Sequence, residues 1–351
     1  MAPDASGPDH ARTTRGDAPA TRTPETRTPA PRRRRAGRLA SLLSALRRRR
    51  FTRRPGDAET LPDMETTTTM TDLETARTRL EAHLGELAGQ DLLVCLDVDG
   101  TLVDHDGTMT PPMRTALRRA AEEQIVVIAT GRSIGATLPI VEAAGIETGY
   151  AVCSNGAVTV RMDPAAERGY RVVDTRTFQP GHALRTLRDV APGAHYAVEM
   201  ADGTFHATAG FQDASFGVEA IESDLEHLMS LEAVRVVVHV PDLTPQEFSE
   251  VIAESGVHGV EYSIGWTAWL DMAAPGVSKA SALEEIRTGL GIDQARTVAV
   301  GDGFNDTEML TWAGVGIAMG QAPQGVKEVA DTVTGSVYTD GTVLVLELLR
   351  G

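Results

Sequence analysis

Lysine is almost missing from this chain: 31 arginines accompany only two lysines, Lys279 and Lys327. Where arginine has replaced lysine nearly everywhere, a persisting lysine asks for a specific role. A compact ammonium acts as a point charge, whereas a guanidinium is a planar fork. Lys327 adjoins Glu328 on a predicted helix flank and reads as a surface residue, while Lys279 lies in a turn that runs into a helix. Aromatic residues are scarce at 4%, so a core must rest on Leu, Val, Ile and Ala. Cysteine is limited to Cys95 and Cys153, each inside an apolar run. Their number and spacing exclude a disulfide framework and a cysteine metal site, and suit buried thiols in a reducing cytoplasm. No apolar run reaches the roughly 18 residues that a membrane-spanning helix needs.

What is present is ordinary for a globular protein: 42% hydrophobic and 23% charged residues. A chain of 351 residues is long enough for a sizeable core and predicts two domains plus extras. The net charge of −16 is unevenly spread. Residues 1–60 carry 15 Arg against 6 Asp/Glu, a balance of +9, and the remainder carries −25. So acidic a body does not look like a nucleic-acid binder, which needs clustered cations that only the tail could supply. Residues 1–70 form a basic tail, and the Pro-, Thr- and Arg-rich stretch to Pro31 predicts disorder, because it has too little apolar surface to offset the entropy of ordering. Within it, Leu39, Leu42, Leu43 and Leu46 stand at helical spacing between Arg32–Arg35 and Arg47–Arg50. Residues 32–54 therefore read either as a solvated tail or as a weak contact to an anionic membrane or acidic partner. Translation from Met64 or Met70 would omit most or all of this tail.

From Thr71 the pattern becomes regular. Thr71 and Glu74 fit a capping box, followed by an apolar face of Leu73, Ala76, Leu80, Leu84 and Leu87. Leu92–Leu96 is a continuous apolar run, as in a strand buried on both faces. Helices are predicted at 112–123 and 134–144, and strands at 125–129 and 150–153, so the chain alternates as a parallel sheet requires. Paired strands are predicted at 157–160 and 170–174. Residues 177–260 break the rhythm with short strands and helices, an α+β insertion. Alternation resumes with a helix at 278–290 and a strand at 297–301.

Four motifs sit at strand ends or helix starts. Asp97-Val98-Asp99-Gly100-Thr101 follows the first strand, at the edge where open α/β sheets bind ligands. Two carboxylates so close repel unless a cation or a proton lies between them, which suits a metal ligand and nucleophile beside a general acid. A polar loop capping a strand would satisfy the same pattern. Ala129-Thr130-Gly131-Arg132 places a hydroxyl and a glycine at a second strand end, as phosphate binding favours, although turns use the same residues. Pro275-Gly276-Val277-Ser278-Lys279 brings the conspicuous lysine to a helix start. Gly301-Asp302-Gly303-Phe304-Asn305-Asp306 adds two more carboxylates, an oxygen-rich set suited to Mg2+, and lacks the ligand alternation of an EF-hand.

In this order the motifs resemble the haloacid dehalogenase superfamily, in particular its Cof-type hydrolases with a large cap between the second and third motifs. The likeness runs from Leu92 to the C-terminus and includes SNGA at 154–157, AMG at 318–320 and Thr339-Asp340-Gly341. It implies an α/β fold, a Rossmann-like three-layer parallel sheet core of residues 71–157 and 263–351, with an α+β cap of residues 158–262. It implies a cytoplasmic, Mg2+-dependent phosphatase of a small phosphorylated metabolite: a sugar phosphate, nucleotide or phosphorylated cofactor. Asp97 would form an aspartyl-phosphate, Asp99 would serve as acid and then base, and Thr130 and Lys279 would hold the phosphoryl oxygens. Asp97, the backbone carbonyl of Asp99, and Asp302 would hold Mg2+, with Asn305 and Asp306 completing its surroundings or touching phosphate. Gly131, Arg132, Asn155 and Gly156 would face the substrate where core meets cap. His182, His195, His206, His239 and Trp266 are candidates for the cap side of the pocket. A phosphomutase on the same core, or a binding or regulatory protein without turnover, are the alternatives; the oligomeric state stays open.

Overall fold

The computed structural model describes residues 70–350 apart from 192, 212–218, 258–259 and 265–268. The basic tail, Met64 and Trp266 lie outside the described residues. In chain order the first half comprises α1 (Met70–Leu84), β1 (Leu93–Leu96), α2 (Pro111–Glu123), β2 (Ile125–Ala129), α3 (Ile134–Ala144), β3 (Gly149–Cys153), β4 (Val158–Met162) and β5 (Tyr170–Thr175). A second group follows: α4 (Gly181–Val190), β6 (His195–Glu199), β7 (Phe205–Ala207), β8 (Ile221–Glu222), α5 (Leu225–Ser230), β9 (Arg235–His239), α6 (Pro245–Ser255), β10 (Glu261–Ile264) and β11 (Trp269–Ala273). The chain ends with α7 (Lys279–Leu290), β12 (Thr297–Gly301), α8 (Thr307–Trp312), β13 (Val315–Ala318), α9 (Gln324–Lys327), β14 (Thr332–Val333) and α10 (Gly341–Leu348).

Eight strands form one sheet in the order β14-β13-β12-β1-β2-β3-β4-β5. The first six run parallel, and β4 and β5 add to the edge antiparallel. β1 is central and buried at all four positions. Its residues alternate between layers: Val94 and Leu96 pack with Leu80, Leu84, Leu117 and Leu346 on one face. Leu93 and Cys95 pack with Leu283, Ile286 and Leu310 on the other. This is the expected three-layer core, and its continuous apolar strands follow from burial on both faces. Cys95 and Cys153 are both buried and free, and burial pushes the Cys153 thiol up to about 12.

The second sheet has six strands, β10-β11-β9-β6-β7-β8, backed by α4, α5 and α6 through Leu184, Leu187, Leu228, Phe248 and Val251. A cap boundary at residue 158 cuts the large sheet, because β4 continues it by pairing with β3 and β5 by pairing with β4. The six-stranded sheet starts with His195 and extends to Ala273, past the expected end at 262. Hydrophobic alternation marks strands but not which sheet edge they join. At the front of the fold, Thr71 falls within the helical range of α1 rather than at a cap.

Leu84 is fully buried against the core, whereas Leu290 is 39% exposed at the end of α7. Leu84→Ala should lower unfolding free energy by about 2–5 kcal/mol, and Leu290→Ala should stay within about 0.5 kcal/mol, both read from urea titrations.

Candidate active site

Asp97 stands one residue past β1, 4% exposed, with its backbone N–H donated to the Val300 carbonyl at 3.0 Å. The chain then turns back at once: Gly100 donates to Val103 O at 2.8 Å, and Leu102 and Val103 donate to Val98 O. Gly100 has φ +78°, and a Cβ there would fall 2.2 Å from Asp302 Oδ2. Only glycine lets these two loops close on each other.

Lys279 opens α7, whose N-cap Ser278 accepts from Ser281 N at 3.3 Å. The lysine is 1% exposed, and its Nζ donates to Asp97 Oδ1 at 2.6 Å and to Asp306 Oδ1 at 2.5 Å. Burial alone would lower the ammonium's pKa, but Asp306 and Asp97 outweigh it and hold the pKa above its usual range. Asp306 Oδ2 accepts from the backbone N–H groups of Asp302 (2.9 Å) and Gly303 (2.8 Å), so this residue shapes the loop after β12. Gln321, directly after the AMG string, donates to Gly100 O at 2.6 Å and Asp302 Oδ2 at 3.3 Å, tying the two acidic loops together.

Asp97, Asp302 and Asp306 each offer a carboxylate oxygen within 4.8 Å of the others, and all three residues are buried. One ammonium faces three carboxylates. Burial, then Asp306, pushes Asp97 well above the ordinary carboxylate range despite Lys279, and the same two causes push Asp302 up to about 7. An all-oxygen set with surplus negative charge fits a hard divalent cation such as Mg2+, which would favour the ionised forms. The Asp99 carboxylate lies apart from this cluster. It is 59% exposed and accepts from Arg132 Nε at 2.9 Å and Nη2 at 2.5 Å. Arg132, expected at the substrate, is thus engaged by Asp99 in this arrangement.

Thr130 is fully buried at the end of β2, and its Oγ1 accepts from Arg132 N at 3.1 Å. The neighbouring loop adopts left-handed backbone at Ser154 (φ 50°), Asn155 (φ 55°) and Gly156 (φ 104°). Asn155 N donates to Thr130 O at 3.0 Å, Ser154 N donates to Arg132 O at 2.8 Å, and Asn305 Nδ2 donates to Asn155 Oδ1 at 2.9 Å. A Cβ on Gly131 would meet the Asn155 side chain at 3.1 Å, and one on Gly156 would meet Ser278 O at 2.2 Å. The motif residues therefore converge on one edge of the sheet, beside a cavity of about 160 Å3 whose lining includes Asn155, Lys279, Asn305, Phe304, Arg235 and Asp271.

Arg235 and Asp271 were not legible from motifs. They belong to β9 and β11, whose strand pattern signals burial but not partners. None of His182, His195, His206 and His239 lines this cavity. His195 and His239 pair at the opposite ends of the strands that carry Glu199 and Arg235. His206 meets Ser223 Oγ at 3.0 Å, and His182 is exposed on α4.

Gly107 and Gly156 share positive φ, but a Cβ at Gly107 meets nothing within 4 Å. Gly107→Ala should cost about 1–2 kcal/mol for backbone strain alone. Gly156→Ala should cost clearly more in the same urea titration, because it also drives Ser278 off its place next to Lys279.

The geometry has counterparts. Residues 94–346 match the family model of the haloacid dehalogenase-like hydrolases. The pyridoxal phosphate phosphatase YbhA of Escherichia coli is 28% identical over 263 residues, covering 71% of this chain and 94% of that protein. A phosphoglycolate phosphatase of Natronomonas pharaonis is 27% identical over 258 residues, covering 73% and 97%. Among solved structures, a haloacid dehalogenase-like hydrolase from Bacteroides thetaiotaomicron superposes with a TM-score of 0.61 at 22% identity, covering 74% of this chain and 99% of that one. The family model spans most of the chain and takes in every motif of the acidic sheet edge, so this protein belongs to the haloacid dehalogenase-like hydrolases.

Proposed function

We propose that this hydrolase is a cytoplasmic, Mg2+-dependent phosphatase that cleaves a small phosphorylated metabolite by way of an aspartyl-phosphate on Asp97. The observation that carries the reading is the grip of Lys279, which lines the cavity, on Asp97 Oδ1 beside Asp302. Relatives named for phosphatase activity support the reaction class, and their differing substrate names leave a sugar phosphate, a nucleotide or a phosphorylated cofactor open. Among the described residues no helix is long and apolar enough to cross a membrane.

In this reading an Asp97 carboxylate oxygen attacks phosphorus in line, and the ester P–O bond breaks as the O–P bond forms. Asp99 gives its proton to the leaving oxygen, then takes one from the water that attacks the aspartyl-phosphate, releasing phosphate and restoring Asp97. For this, Asp99 must turn from Arg132, which its exposed position permits. Arg132 is then released to meet the substrate together with Asn155, Gly156 and the backbone at Gly131. Thr130 and Lys279 hold phosphoryl oxygens. Asp97, Asp302 and the Asp99 carbonyl would hold Mg2+, while Asp306 and Asn305 complete the surroundings. When bound, the ion neutralises charge on the phosphoryl group.

Purified full-length protein should hydrolyse p-nitrophenyl phosphate, lose this activity in EDTA and regain it with added Mg2+. Asp97→Asn should lower kcat at least about 1,000-fold without unfolding the protein; undiminished turnover would sink the assignment. Asp99→Asn should cost about 100- to 10,000-fold on an alkyl phosphate, and less on p-nitrophenyl phosphate, whose leaving group needs little proton assistance. Stoichiometric release of inorganic phosphate separates this reading from a phosphomutase.

A further inference from the structure

Glu199 and Arg235 face each other across β6 and β9, at 2% and 4% exposure, with Arg235 Nε 2.9 Å from Glu199 Oε2. Both belong to the six-stranded sheet, so their charges could be satisfied within it. Each instead reaches into the other sheet's loops. Arg235 Nη1 donates to the Gly131 carbonyl and lies 3.6 Å from Asp271 Oδ1. Ser154 Oγ lies 3.0 and 2.9 Å from the two Glu199 carboxylate oxygens and donates its proton to them. A buried ion pair adds little net stability over an apolar pair of similar size, because both charges lose their hydration. Its placement therefore asks for another explanation.

The loop contacted by Glu199 supplies one. Ser154 and Asn155 are consecutive non-glycine residues in left-handed backbone. Such conformations cost on the order of 1–3 kcal/mol each and persist only where surrounding contacts over-determine them. Here the contacts are the backbone bonds to Thr130 and Arg132, the Asn305–Asn155 bond, and the Ser154–Glu199 bond. The Gly131 carbonyl that Arg235 grips lies between Thr130 and Arg132 in the partner loop. Both loops bearing the predicted phosphate-side residues are thus pinned from the six-stranded sheet by one ion pair.

We infer that Glu199 and Arg235 are positioning residues: their buried pair holds the six-stranded sheet against the Thr130–Arg132 and Ser154–Gly156 loops and so sets where Thr130, Arg132 and Asn155 stand during turnover. The inference rests on the phosphatase reading for its kinetic part and on the geometry alone for its structural part. Neither residue needs to touch the reacting atoms.

Glu199→Leu combined with Arg235→Met removes both charges at similar volume, so the midpoint of urea unfolding should fall less than in either single variant, each of which leaves one buried charge unpaired. The double variant should still lose at least about tenfold in kcat, with KM within about threefold, because small misplacements in a site are costly to the chemical step. Amide hydrogen exchange should rise about tenfold or more in peptides covering 130–133 and 154–157, and stay unchanged in α6. Ser154→Ala, which leaves the ion pair intact, should reproduce the exchange increase at 154–157 and lower kcat several-fold. Wild-type kcat and wild-type loop exchange in the stable double variant would overturn the inference, and show that the pair only fills space. If the double variant does not fold, the same wild-type result in Ser154→Ala overturns it. If the wild-type enzyme shows no phosphatase turnover, the phosphatase reading fails, and the exchange measurements decide the positioning role on their own.

Discussion

The Lys279 ammonium is the centre on which the rest of the acidic edge depends. It joins Asp97, 182 residues earlier in the chain, to Asp306, 27 residues later, and all three groups are buried. Ions removed from water must find their opposite charge at close range, or they neutralise or move the backbone. That requirement draws the end of β1, the start of α7 and the loop after β12 to one point. Asp306 then uses its second oxygen to cap the backbone of Asp302 and Gly303, so the same ion pair also determines the shape of the loop that presents Asp302. Charge balance around the lysine is deliberately incomplete, with carboxylates in excess, and this is what suits the edge to a divalent cation.

Close approach is the second constraint. Gly100 against Asp302 and Gly156 against Ser278 leave no room for a side chain, and Gly131 stands tightly against the Asn155 side chain. Each lies in a different loop, yet all act on the same few ångströms of sheet edge. The glycines let the backbones of four strand ends come within hydrogen-bond range, and bonds such as Gln321 to Gly100 O then hold them together. An ion pair brings the loops near; the missing Cβ atoms let them close.

The six-stranded sheet meets this edge with charge rather than with the histidines its sequence offers. Arg235 and Asp271 line the cavity, and Arg235 pairs with Glu199 at the ends of β9 and β6 nearest the motif loops, while Asp271 stands midway along β11. The aromatic contact of His239 with Trp269, centroids 5.4 Å apart, lies toward the other end of the same strands. Strand direction and register decide this partition, because residues of one face are separated by where they fall along the strand.

Most of the acidic edge was legible in the sequence, because the signals that mark it are local. A carboxylate pair at a strand end, a lysine in a chain that otherwise uses arginine, and glycines at turns are each visible over a few residues. The three-layer core was legible for a related reason, since strands buried on both faces must be continuously apolar, as Leu93–Leu96 is. The pairing of β4 and β5 with the large sheet was not, because alternation reveals a strand but not its neighbour. Nor were the roles of Glu199, Arg235 and Gln321, whose partners lie 45, 104 and 221 residues away. Sequence alone determined which residues could do the chemistry, through residue type and strand-end position. Tertiary structure alone decided how Asp97, Lys279, Asp302 and Asp306 share their charges and what pins the loops around them, because burial and long-range contact exist only once the chain has folded.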